Sequence, residues 1–266
     1  MDCTLVTAFY PIKSKFPSNQ YLKWATQFMQ LKSPIVLFTP IELTPIFQSM
    51  RPHGLPMQIY NIPFTDLHMW KTYADQWRLH HTMDHENNIY TPELYAIWAQ
   101  KAVFIDDAIK ANPFKTDYFF WCDIGAFRDE HINPIICASF PTIHNLPKDK
   151  IAICSVMQLD GNDNTIIDEI HGNFQHTNRI VGGLWGGGIT GCLKWRQAFE
   201  ECLCLYFEKG RFAGKDQSVM LSTYLANPTL ANVYKPPNNY NDDWFYFQRL
   251  HSNLGIVAEL DKSYIL

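Results

Sequence analysis

The chain has 266 residues, of which 47% are hydrophobic and 18% charged, and a formal net charge of −4. A chain of this length suits one large domain that buries about three quarters of its unfolded surface, so its core needs no disulfide staples. It is too apolar for a disordered segment, and its balance of charge offers no basic field for nucleic acid. No apolar run approaches the roughly 20 residues of a membrane span. The opening Met1–Phe9 carries Asp2 and no basic segment, so no signal peptide and a cytoplasmic location are expected. Seven scattered cysteines without a C-x-x-C pair are expected to be reduced thiols. Aromatic residues make up 15% of the chain, which points to a large core or to a ligand face that stacks on rings.

In chain order, Thr4–Phe9 is a short β-prone run closed by Pro11. A helix capped by Ser18 follows, with Tyr21, Leu22, Ala25, Phe28 and Met29 on one face. Ile35–Phe38 is apolar throughout, as a strand covered on both faces would be. Met57–Ile62 reads as a third strand and Asp66 to about His80 as a helix. Thr91 is the expected cap of the clearest helix, with Pro92 at the first helical position, where a missing N–H costs nothing, and Glu93 favoured by the helix dipole. Its stripe is Leu94, Ile97, Trp98, Lys101, Ile105, Ala108 and Ile109. Tyr118–Cys122 is a buried strand. Alternation of strand and helix predicts an α/β fold with a largely parallel sheet. Further on, Ile151–Val156 reads as a strand and Asp160–Asn164 as a turn or loop. Leu193–Phe207 reads as a helix and Asn227–Asp243 as a long loop. No internal repeat or linker divides the chain.

Several groups carry candidate chemistry. Asp123 follows a strand at its carboxyl end, where open α/β sheets bind ligands. It suits a divalent cation or a ribose hydroxyl, and equally a cap for the next turn. Gly182–Gly191 holds six of the 13 glycines. The motif G-x-G-x-x-G falls at Gly186, Gly188 and Gly191, but not after the first strand of a unit, and Glu208, the acid about 20 residues on, ends a helix. A nicotinamide fold is therefore not expected. Close approach of a phosphate or sugar ring is the expectation, ahead of a tight structural turn. Asp216 opens a helix, either as a dipole-favoured cap or as a pocket carboxylate able to act as a base. His80, His81, Asp84, His85 and Glu86 lack a zinc pattern and are expected at a solvated helix end. His251, after an aromatic run, reads as an ordinary buried or surface histidine.

Taken together, FWCDIGAFR (Phe120–Arg128), VGGLWGGG (Val181–Gly188), KDQ (Lys215–Gln217), TPELYAIWAQK (Thr91–Lys101) and the opening Thr4–Ala25 resemble the HtrL/YibB (WlaTC-type) family over nearly the whole chain. That family is grouped with glycosyltransferases of the GT-A fold. The resemblance implies a single domain with a central mixed, mainly parallel sheet flanked by helices. About residues 1–125 would bind the nucleotide and about 126–266 the donor sugar and acceptor. It implies a transferase that moves a sugar from a nucleotide-sugar, UDP-sugar favoured, to a glycan hydroxyl with help from Mn²⁺ or Mg²⁺. The alternative is a GT-A-like module that binds without transfer. Asp123 matches the first Asp of a D-x-D motif, with Gly125 in place of the second. His251 is similar to a C-terminal metal-binding histidine, so Asp123 and His251 are the implied metal ligands. Asp216 is the implied base. Thr7, Phe9 and Tyr10 would cradle the nucleotide, and Lys101 and Arg128 would offset diphosphate charge. Gly182, Gly183, Trp185, Gly186, Gly187 and Gln217 would lie against the donor.

Overall fold

The structure, a computed structural model, describes residues 3–143, 146–159, 179–237 and 243–264. The strands among them are β1 (Cys3–Ala8), β2 (Ile35–Thr39), β3 (Met57–Asn61), β4 (Tyr118–Cys122), β5 (Ile151–Cys154), β6 (Leu184–Gly188), β7 (Ala231–Lys235) and β8 (Glu259–Leu260). They form one sheet in the order β3-β2-β1-β4-β6-β5-β7-β8. β6 runs antiparallel to both β4 and β5, and β8 antiparallel to β7, while the remaining pairs are parallel. The chain is therefore an α/β domain with a mixed, mainly parallel sheet between helices. The helices are α1 (Ser18–Phe28), α2 (Thr44–Met50), α3 (His68–His81), α4 (Pro92–Ala111), α5 (Pro134–Ser139), α6 (Ile189–Glu208), α7 (Asp216–Ala226) and α8 (Tyr246–Leu250).

The apolar strands are covered on both faces, and side chains alternate between two cores. Val6, Phe38, Phe119 and Trp121 pack with α4, α6 and α7 through Phe104, Trp195 and Val219. Leu5, Leu37, Phe120 and Cys122 pack on the opposite face with α1 and α8 through Phe28 and Phe247. The aromatic excess is largely spent here. Phe104 stacks on Trp121 with ring centroids 5.9 Å apart and on Phe38 at 4.7 Å.

Several local expectations are revised. Pro17, not Ser18, flanks α1, and Ser18 is its first helical residue. Thr91 precedes α4 in extended backbone, but its side chain makes no capping bond. Most of the glycine run is not a turn: after a bend at Gly182 and Gly183, Leu184–Gly188 is a fully buried strand inserted between β4 and β5. A Cβ on Gly186 would stand 2.3 Å from the Phe119 carbonyl oxygen, and one on Gly187 would stand 2.3 Å from that of Lys150. The close neighbour of these glycines is the chain's own backbone. Strand β7 lies inside the segment read as a long loop. The expected turn Asp160–Asn164 lies outside the described residues. The end of α3 is only partly solvated: His85 is exposed, but His80 and Asp84 are buried, and the Asp84 carboxylate accepts a bond from the Tyr95 hydroxyl at 2.5 Å. All seven cysteines are free, and no helix among the described residues is long and apolar enough to cross a membrane.

Candidate functional site

The carboxyl ends of β1 and β4 open into a cleft. Strand periodicity puts Trp121 and Asp123 on the same face, and the Trp121 indole N–H donates to Asp123 Oδ1 at 2.6 Å. The Asp123 backbone N–H donates to the Gly183 carbonyl at 2.7 Å, extending the β4–β6 ladder one step past its last pair, Cys122 with Leu184. Helix α4 crosses this face and brings down Lys101, which is 5% exposed. Its Nζ lies 2.8 Å from Asp216 Oδ2, 3.3 Å from Asp123 Oδ1 and 3.0 Å from the Gly182 carbonyl oxygen. Asp216 sits in the first turn of α7, where the helix dipole favours a negative charge.

The two glycines before β6 make this meeting possible. A Cβ on Gly182 would stand 2.8 Å from Asp216 Oδ2, and one on Gly183 would stand 3.0 Å from Asp123 Oδ2. Either would displace a carboxylate. Burial works against the charge on Lys101, but Asp123 and Asp216 outweigh it and hold its pKa above the ordinary lysine value. Desolvation in the cleft floor raises the Asp123 carboxyl above the ordinary range, opposed by Lys101 and the Trp121 indole. Its side chain is nonetheless 46% exposed. Oδ1 accepts from the Trp121 indole and is ion-paired with Lys101, and Oδ2 has no donor among the described residues.

The cleft has two connected lobes. One, of about 310 Å³, is lined by Phe9, Tyr10, Phe16, Tyr21, Trp98 and Asp123 among others. The second, of about 520 Å³, reaches Gly182, Gly183, Asp216, Gln217, Trp244 and Phe245. Lys15, Tyr90, Trp98, Lys101, Asp123, Gly125 and Arg128 border both. The exposed guanidinium of Arg128 lies 4.4 Å from the centroid of Trp24, 5.2 Å from that of Phe245 and 5.5 Å from that of Phe16. Its Nε donates to the Gly125 carbonyl at 3.1 Å. Gln217 Nε2 donates to the Ile180 carbonyl at 2.6 Å. Lys215 is engaged by Glu86.

The structure thus brings together Phe9, Tyr10, Lys101, Asp123, Gly125, Arg128, Gly182, Gly183, Asp216 and Gln217. Four other expected residues lie elsewhere. Thr7 is fully buried in β1, and Trp185, Gly186 and Gly187 are buried in β6; none borders the cleft. His251 is also corrected. It is 5% exposed among Phe120, Tyr234 and Phe247, and its Nδ1 faces the Thr142 carbonyl at 3.0 Å. Desolvation pushes its pKa down to about 4, a core histidine rather than a cleft ligand. Sequence reasoning missed Tyr90, Phe16 and Lys15, and read Trp98 only as part of a stripe. Trp98 and Lys101 stand at i, i+3 on α4, which puts them on one face. That spacing was the available signal.

A divalent metal finds a poor donor set here. Gly125, where a second motif carboxylate would stand, is walled in: its Cβ would be 3.0 Å from Trp24 Cε3 and 3.2 Å from Tyr21 Cδ1. Among the described residues no group of three His, Cys, Asp or Glu side chains converges. The two carboxylates that do converge hold an ammonium between them.

A family model described as "Bacterial protein of unknown function (HtrL_YibB)" matches residues 1–253, and the chain belongs to that family. No curated protein matches it. Among solved structures, it is similar to the mannosyltransferase Ktr4p of S. cerevisiae, with 11% identity over 96% of this chain and 76% of that one, at a TM-score of 0.48. The same enzyme in complex with GDP gives 12% identity over 96% of this chain and 76% of that one, also at 0.48. Core-mannan synthase A (CmsA/Ktr4) of Aspergillus fumigatus in its Mn/GDP form gives 9% identity over 88% and 72% of the two chains, at 0.47.

Proposed function

We propose that this member of the HtrL_YibB family is a glycosyltransferase that moves a sugar from a nucleoside-diphosphate donor to a glycan hydroxyl. The observation that carries the reading is the meeting of Asp123, Lys101 and Asp216 at the floor of a ring-lined cleft, at the carboxyl end of a parallel strand. The lobe beside Phe9, Tyr10, Tyr21 and Trp98 suits a base and ribose: rings give a base a stacking surface, and the free Oδ2 of Asp123 accepts from a hydroxyl. The lobe beside Gly182, Gly183 and Asp216 takes the sugar. As the acceptor oxygen bonds to the anomeric carbon, the bond to the diphosphate breaks and the diphosphate leaves with the electron pair. In an inverting course the acceptor proton passes to Asp216. The cations at the cleft stabilise the charge that develops on the leaving group.

The reading is tested by thermal shift against UDP, GDP, CDP and dTDP and their sugars. A ligand present at 100 times its Kd raises stability by about 2.7 kcal/mol. At least one should raise the melting temperature of the wild-type protein by several degrees, and Asp123→Ala should remove the shift. No shift with any of them at millimolar concentration would reject the reading. Binding without release of the diphosphate, with or without acceptor glycans, would favour the alternative, a module that holds the nucleotide-sugar.

A further inference from the structure

We infer that Lys101 is the resident cation of this site, standing between the two carboxylates where a divalent metal would otherwise have to bind, so that the nucleotide is held without one. The inference rests on the nucleotide-sugar reading above and specifies its electrostatics. An ammonium has three N–H donors. Lys101 donates to the Gly182 carbonyl at 3.0 Å and is ion-paired with both carboxylates, Asp216 Oδ2 at 2.8 Å and Asp123 Oδ1 at 3.3 Å. A metal bound to the same pair of carboxylates would sit against this positive charge and would have to expel it.

The surroundings are built for the lysine. Its stem is buried in α4, and its Nζ lies 5.7 Å from the centroid of the Trp121 ring, whose indole N–H orients Asp123. Gly182 and Gly183 leave the space in which both carboxylates reach it. Gly125 cannot become a third carboxylate without moving Trp24 or Tyr21. Lys101 is therefore a positioning residue. It cancels one of the two negative charges and fixes Asp123 with Oδ2 free for a ribose hydroxyl.

With the charge of Lys101 committed to Asp123 and Asp216, the diphosphate needs other cations. Arg128 and Lys15 border both lobes, and neither has a carboxylate partner among the described residues. Arg128 is held by stacking on Trp24 and by its bond to the Gly125 carbonyl, which leaves guanidinium N–H groups to face a phosphate. The phosphates then lie toward the rim, while Asp123 and Lys101 hold the floor.

The test is calorimetric titration of the wild-type protein with the nucleoside diphosphate selected by the thermal-shift panel, in EDTA and again in millimolar Mn²⁺. The expected result is the same Kd within twofold in both buffers, and a loss of tenfold or more in Arg128→Ala. Lys101→Gln, checked for folding by circular dichroism, should bind at least tenfold more weakly in EDTA and recover when Mn²⁺ fills the freed carboxylates. A lysine with only a structural role would give no such acquired metal dependence. If Lys101→Gln does not fold, the wild-type comparison decides alone. Wild-type binding that appears only with Mn²⁺ overturns this inference and leaves the function standing. Absence of binding in both buffers overturns the function and this inference with it.

Discussion

The two ends of the glycine run solve the same steric problem for different purposes. Gly182 and Gly183 clear space for the carboxylates of Asp216 and Asp123, whereas Gly186, Gly187 and Gly188 clear space for the backbone of neighbouring strands and their connections. A missing Cβ means close approach at both ends. Only the identity of the approaching atom separates a residue of the cleft from a residue of the sheet. A side-chain carboxylate can swing aside at some cost in geometry; a paired strand cannot.

The largest effect should therefore come from the sheet end. Gly186→Ala puts a Cβ 2.3 Å from the Phe119 carbonyl oxygen and 2.5 Å from the Phe120 Cα. Overpacking of this kind is expected to destabilise the fold by about 3 kcal/mol or more, read as a drop in the urea midpoint. A variant as stable as wild type would mean that β6 does not sit where the comparison needs it.

The same substitution at the other end should spare the fold and damage the chemistry. Gly182→Ala presses first on Asp216, a side chain that borders the cleft. Transfer should fall about 100-fold, as misplacing a catalytic group by about 1 Å does, with little change in stability. Unchanged turnover would detach Asp216 from the reaction.

His251 sharpens the contrast from the other face of the sheet. Its pKa of about 4 in the folded protein lies below the ordinary histidine value. The unfolded chain therefore takes up the proton first as the pH falls. The stability that the neutral ring contributes is fully present above about pH 6.5 and is lost progressively toward pH 4. Relative to His251→Phe, wild type should lose about 2 kcal/mol between pH 7 and pH 5, measured by urea denaturation at each pH. His80, also near 4, titrates in both proteins and cancels in the difference. A flat difference would mean that the ring is not buried as a neutral core group.

The smallest effect belongs to the rim. Trp98→Ala should weaken nucleotide binding about tenfold, within the ~1–3 kcal/mol measured for base–aromatic stacking, and should also lower the melting temperature of the free protein, because the ring packs on Tyr90 and Tyr95 at centroid distances of 5.1 and 6.0 Å. Equal affinity would move the base out of the lobe that Trp98 borders.

The parts of this account that were legible in the sequence share one property: their local pattern and their tertiary role agree. YFFWC is a continuous apolar run and becomes a buried central strand, so the Asp that follows it stands at the ligand end of the sheet. The α4 stripe carried both core and cleft residues, and Lys101 was visible on it. What was not legible had its pattern overridden by context. LWGGG has almost no β propensity and no alternation. It is a strand because β4 and β5 leave a gap that only glycine backbone fills. ANVYK in β7 was hidden among Asn and Pro. His251 matched a ligand by its place in the chain, but the cage around it depends on Phe120 and Tyr234, which β4 and β7 bring from elsewhere in the sequence.

The most direct test of the central claim is release of nucleoside diphosphate from the sugar nucleotide that binds, followed in the presence of acceptor glycans for wild type and Asp216→Ala. Wild type should release the diphosphate, and the variant should lose at least about 100-fold of that rate while the nucleotide still binds. Equal release by the two proteins would contradict it.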